Sequence, residues 1–125
     1  MVALDEDPVG IVTLRFLPPY EPGDEAGYLA ALERIARRRT PFGLVTLFGG
    51  GGKLSQAGER EQALWFKRTR TDMNAVCRGA AIVRPGASDD MAAVFRRLWD
   101  FPIAVAPDEA KARLFVLSLA PDGSS

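Results

Sequence analysis

Histidine is absent from the 125 residues and cysteine occurs once, at position 77. The first absence removes the commonest general base and metal ligand before any site is considered. The second excludes an internal disulfide. Charge of one sign is not in excess either: 16 Lys and Arg balance 16 Asp and Glu. With no basic surplus and no interleaving of aromatic and basic residues, nucleic acid is not an expected partner. No apolar run approaches the roughly 20 residues that span a bilayer, and Met1 to Asp7 is acidic, unlike the basic start of a secretory signal. The expectation is a cytoplasmic protein without membrane insertion.

What is present is an ordinary globular composition, 47% hydrophobic and 26% charged, enough for one domain with a single core. The charges are uneven along the chain. Up to Glu33, seven acids face Arg15 alone; from Arg34 to Arg84, eleven bases face Glu59, Glu61 and Asp72. That excess suits an acidic partner, although helices commonly carry such charges toward water.

The stretch from Phe42 to Cys77 organises the rest. Phe42 to Phe48 is uncharged and rich in aromatic and β-branched residues, as in a central strand covered on both faces. Gly49-Gly50-Gly51-Gly52-Lys53 then leads into a long helix capped by Ser55, with Trp65, Phe66, Met73, Val76 and Cys77 along one face. Gly58 on that arc would let the helix approach the sheet, and Gln62 would need a hydrogen-bond partner if buried. Leu64 projects among Arg60, Glu61, Lys67 and Arg68 on the opposite face, as the rim of a contact surface would.

Before this unit, residues 1–8 read as a flexible terminus and Val9 to Leu17 as a first strand, placed at an edge by its alternating polarity. Prolines 18, 19 and 22 make a loop. Asp24 caps a helix with Tyr28, Leu29, Leu32, Ile35 and Ala36 inward, closed by Arg37-Arg38-Arg39 at the negative end of its dipole. After it, Ala80 to Val83 is a short buried strand. Ser88 or Asp89 caps a third helix carrying Met91, Val94, Phe95, Leu98 and Trp99. Ile103 to Val105 is a further strand, and Pro107-Asp108-Glu109 opens a last helix with Ala110, Leu114, Leu117 and Phe115 inward. Residues 120–125 form a polar tail. Alternating strands and helices predict an α/β sandwich with four or five largely parallel strands and about four helices.

The element order and three local patterns resemble the SpoIIAA-like fold of STAS and STAS/SEC14-type domains. The patterns are Cys-Arg-Gly-Ala-Ala-Ile-Val at 77–83, Phe-Arg-Arg-Leu-Trp-Asp-Phe-Pro-Ile at 95–103, and Pro-Asp-Glu-Ala at 107–110. The resemblance spans Val9 to Leu119. It implies a non-enzymatic regulatory module of bacterial type, one that contacts a protein partner, acts as anti-sigma-factor antagonists do and can pair with itself as a homodimer. It also implies a phosphoacceptor serine at the start of the helix after a central strand. Ser55 is the nearest match, with Leu54 where that motif carries aspartate and Gly58 where its glycine would come sooner.

The glycine loop, Gly49 to Gly52 with Lys53 and Ser55, is the candidate partner-binding or anion-binding site, because glycine N–H groups at a helix start can converge on an anion. It is not a Walker loop: Leu47 stands where glycine is needed and Leu54 where Ser or Thr follows the lysine. Without histidine, neither Cys77 nor Ser55 has the usual activating base. Asp89-Asp90 falls where helix caps are expected rather than metal ligands, so no cofactor or metal is expected. Two readings therefore stand. Exposed Leu64 beside the loop favours a protein-interaction module with Arg60, Lys67 and Arg68 at its rim. An apolar cavity lined by Trp65, Phe66 and Trp99, otherwise read as core aromatics together with Phe101, favours a module for a small anionic or lipid-like ligand.

Overall fold

The computed structural model describes residues 1–49, 54–85, 93 and 96–119. Five strands, β1 (Val2–Glu6), β2 (Ile11–Phe16), β3 (Phe42–Phe48), β4 (Cys77–Val83) and β5 (Ile103–Val105), lie side by side in chain order. β1 runs antiparallel to β2 and every later pairing is parallel. Three helices are present among the described residues: α1 (Asp24–Ala36), α2 (Gln56–Val76) and α3 (Glu109–Ser118). The α/β class and the largely parallel sheet are as the alternation of elements predicts. The third predicted helix, with Ser88 or Asp89 as cap and Met91, Val94 and Phe95 inward, falls largely outside the described residues, as does the tail at 120–125.

The terminus expected to be flexible is instead the edge strand. Asp7 makes the turn that folds it back: its carboxylate accepts the N–H groups of Val9 and Ile11, each at 3.1 Å, and Gly10 adopts φ +86°. Glycine tolerates that left-handed conformation at no steric cost. Val2 and Leu4 then pack against the core, opposite Phe16 and Leu14. The strand expected at the edge is consequently second in the sheet, buried from Ile11 to Leu14.

Alternation along the parallel strands sorts two cores. Val12, Leu14, Leu44, Ala80 and Ile82 meet α1 and α2 through Tyr28, Leu32, Trp65 and Met73. Ile11, Val45, Leu47 and Ala81 meet α3 through Ala112 and Val116. Phe42 and Val45, both fully buried, tie the central strand to the two sides.

Three helix assignments change. Asp24 is the first residue of α1 and not its cap: Gly23 stands at the cap with no side-chain hydrogen bond, and the Asp24 carboxylate accepts from the Met1 amine and the Glu21 N–H instead. α2 ends at Val76, and Cys77 is already extended, pairing with Phe42 in the sheet. Helix passes to strand with no intervening loop, so no Gly or Pro signal marks the boundary. In α3, capped by Asp108 through the N–H of Lys111 at 2.8 Å, the buried residues are Ala112 and Val116. Leu114 and Leu117 are 62% and 41% exposed, Ala110 is exposed and Phe115 only partly buried. Close packing decides the face: a Cβ on Gly43 would lie 2.9 Å from that of Val116, so small residues let the helix sit down on the strand.

Candidate functional site

Phe16 and Phe48 are the last residues of β2 and β3, and Arg84 follows the last residue of β4. In open α/β sheets the crevice at the carboxyl ends of the strands is the usual ligand position. Here that end opens into a cavity of about 570 Å³ between the sheet and the α1–α2 layer, a size typical of small-molecule sites.

Its walls are largely aromatic. On one side Phe16 packs against Tyr20 and Tyr28 with ring centroids 5.5 and 5.0 Å apart, and Tyr28 meets Phe48 at 6.2 Å. On the other, Trp65, Phe66 and Trp99 form a mutual cluster with centroids 5.1 to 6.0 Å apart. Leu14, Leu44, Ala80 and Ile82 supply the floor.

Polar groups are few and specifically placed. The Tyr28 hydroxyl donates to Gln62 Oε1 at 2.5 Å, which gives Gln62 the partner its position demands. Burial pushes the Tyr28 phenol well above its ordinary pKa, so it stays a neutral donor. Trp65 is 3% exposed, and its indole N–H is buried with no acceptor among the described protein groups. Glu59 and Arg84, both exposed, are the two charged residues among those lining the cavity.

The glycine loop borders this region differently from expectation. Gly49 donates its N–H to Phe16 O at 3.1 Å and lies directly against Pro18, leaving no room for a side chain. Its amide is thereby committed to the sheet. Gly50, Gly51, Gly52 and Lys53 are outside the described residues. Ser55 caps α2 as predicted, accepting the Gly58 N–H at 3.0 Å. Its own N–H and hydroxyl donate to the Glu25 carboxylate at 2.5 and 2.8 Å. A resident carboxylate therefore already takes the donors that Ser55 would offer an external anion, and a phosphate on Ser55 would face that negative charge. Gly58 serves the same contact: it makes room for Glu25, not for the sheet, since a Cβ there would lie 2.7 Å from Glu25 Cδ.

The proposed rim sits elsewhere on α2. Leu64 is 51% exposed, with Arg60 and Lys67 also at the surface, while Arg68 pairs with Glu33 of α1 at 2.7 Å. Arg38, within the basic run, reaches Glu6 and lies 5.2 Å over the Phe42 ring, so it braces β1 and α1 rather than facing outward. None of the rim residues lines the cavity. Sequence reasoning named Trp65, Phe66 and Trp99 but missed Tyr20, Tyr28, Phe16, Phe48 and Arg84 as wall residues. The available signal was an aromatic closing each of two adjacent parallel strands.

Burial pushes the Cys77 thiol up to about 12, and its Sγ contacts the Gly79 carbonyl at 3.4 Å. It is a packed thiol at the far end of β4, not a nucleophile in the crevice. No group of His, Cys, Asp and Glu side chains suited to a metal occurs among the described residues, and no described helix is long and apolar enough to cross a membrane. In comparisons with known proteins, the chain matches no family model and has no significant match among curated proteins or solved structures.

Proposed function

We propose that the chain is a non-enzymatic binding module of the SpoIIAA-like type that holds a small, largely apolar ligand between its sheet and the α1–α2 layer. The observation that carries this reading is the aromatic-walled cavity of about 570 Å³ at the carboxyl ends of β2, β3 and β4. Protein interiors close-pack, and an opening of this size lined by Trp, Phe and Tyr gives up contact energy unless something fills it.

The test uses the chain's two tryptophans, Trp65 and Trp99, both in the cavity wall. Titration with an apolar naphthalene sulfonate dye should quench their emission and light the dye with one-site stoichiometry. Native mass spectrometry of protein purified gently from its source cells should show a bound small mass. Dye binding that leaves both tryptophans unquenched would place the apolar site elsewhere.

A second reading keeps a specific observation of its own. Leu64, half exposed between Arg60 and Lys67, suits contact with an acidic protein partner or a second copy. A co-purifying protein whose capture is lost in Leu64→Glu would carry it.

A further inference from the structure

The cavity lining holds two charges of opposite sign, Glu59 in the first turn of α2 and Arg84 just after β4. Neither makes an ion pair with the other or with any other described residue. Several other described arginines do have such a partner: Arg15 pairs with Asp5 and Glu109, Arg68 with Glu33, and Arg113 with Asp7. Both are exposed, so each is open to a ligand seated against the apolar walls.

Building on the cavity reading above, we propose that the ligand is a zwitterion with an apolar body: an aromatic or otherwise hydrophobic amino acid or short peptide. Its carboxylate meets the Arg84 guanidinium and its ammonium meets the Glu59 carboxylate. The body lies among the rings of Tyr28, Trp65 and Phe66. An anion alone would satisfy Arg84 and bring like charge to Glu59; a cation alone would do the reverse. A neutral apolar molecule would fill the space and leave both charges as they are. Arg suits this role because its planar fork fits a carboxylate with two parallel hydrogen bonds.

Calorimetric titration with four ligands that share one body tests the proposal: 2-naphthylalanine, its N-acetyl derivative, its methyl ester and 2-naphthylethanol. The zwitterion should bind on the order of tenfold more tightly than each of the others, as one charge-assisted hydrogen bond at a partly screened site allows. Arg84→Gln should erase its advantage over the cationic ester, and Glu59→Gln its advantage over the anionic N-acetyl form. Circular dichroism and a thermal melt establish that each variant is folded. Equal binding of all four ligands would overturn the zwitterion while leaving the cavity reading intact. Preference for the N-acetyl form or for the ester would overturn it in favour of a singly charged ligand. Binding of none, combined with failure of the naphthalene sulfonate dye, would remove the cavity reading and this one with it.

Discussion

Glu25 and Ser55 close the gap between α1 and α2: one carboxylate accepts both the backbone N–H and the hydroxyl of the serine that caps the second helix. Gly58, one turn into α2, is the residue whose missing side chain lets that carboxylate sit there. The pair therefore predicts an unusual sign. Gly58→Ala alone should lower the melting temperature, although alanine is better than glycine in a helix by about 1 kcal/mol. In a Glu25→Ala background, where the carboxylate is gone, the same change should raise it. A double-mutant cycle by thermal denaturation reads the reversal; equal effects in both backgrounds would remove the contact from the account.

The same contact has a pH signature. Hydrogen bonds from the Ser55 N–H and then its hydroxyl hold the Glu25 carboxyl below its ordinary pKa. A depressed folded pKa contributes stability above the unfolded pKa of about 4.3 and loses it as pH falls through the folded value. Glu25→Gln should therefore flatten the acid limb of the stability profile and leave the change between pH 6 and 8 untouched. Asp7 behaves similarly in direction: despite desolvation, the Ile11 N–H and the Arg113 guanidinium hold its carboxyl low. Its share of the acid limb persists in the Glu25 variant.

How far the sequence reaches is visible in particular elements. Phe42 to Phe48 has the predicted bounds because an uncharged run of that length suits a strand covered on both sides. Ser55 caps where it should because capping is local chemistry, whereas Asp24, expected to cap α1, lies inside its first turn with its carboxylate drawn to the Met1 amine. The failures lie where tertiary contact overrides local pattern. Val2 to Glu6 carries two acids and looks like a tail; only pairing with β2 makes it a strand. In α3, Leu114 and Leu117 offer the larger apolar surface, yet Ala112 and Val116 face the sheet because Gly43 permits close approach there. The cavity follows the same rule. Its aromatics are evident in the sequence as apolar residues, but whether such residues fill a core or surround a space depends on how far apart the helices and the sheet are held.

That close approach gives its own prediction. With a Cβ at Gly43 only 2.9 Å from Val116 Cβ, Gly43→Ala should overpack the α3 side of the sheet and destabilise by about 1–3 kcal/mol in chemical denaturation. The neighbour is a β-branched residue on a helix and has little rotamer freedom with which to yield. Adding Val116→Ala trims both γ-methyl groups but leaves the Cβ in place. The double variant should therefore recover part of the loss, not all of it, whereas a loss unchanged by Val116→Ala would place the strain in the strand itself.

Cys77 offers a probe of global opening. With burial lifting its thiol to about 12, it should resist aromatic disulfide reagents at pH 8 in native protein and react at once in denaturant, since the thiolate is the nucleophile. The raised pKa also carries a sign. A group protonated more strongly in the folded state contributes stability below its unfolded pKa of about 8.5 and loses it as pH rises toward the folded value, at roughly 1.4 kcal/mol per pH unit for a single group. Between pH 9 and 11, wild type should therefore lose more stability than Cys77→Ala. Tyr28, raised in the same direction by burial, steepens both curves alike above pH 10.

The last prediction separates a cavity kept for a ligand from one that is merely loose packing. Ala80, 2% exposed at the middle of β4, lines the cavity floor. Ala80→Phe would project a ring into that space from a rigid strand. Cavity filling at such a site commonly stabilises by about 0.5–2 kcal/mol, so the variant should melt higher than wild type. If the space exists to be occupied, the same variant should lose dye quenching of Trp65 and Trp99 and the binding of 2-naphthylalanine, so that stability and binding move in opposite directions. A variant that melts higher yet binds undiminished would mean the ligand lies outside this cavity. One that melts lower would mean the walls already close on Ala80 more tightly than an opening of about 570 Å³ allows.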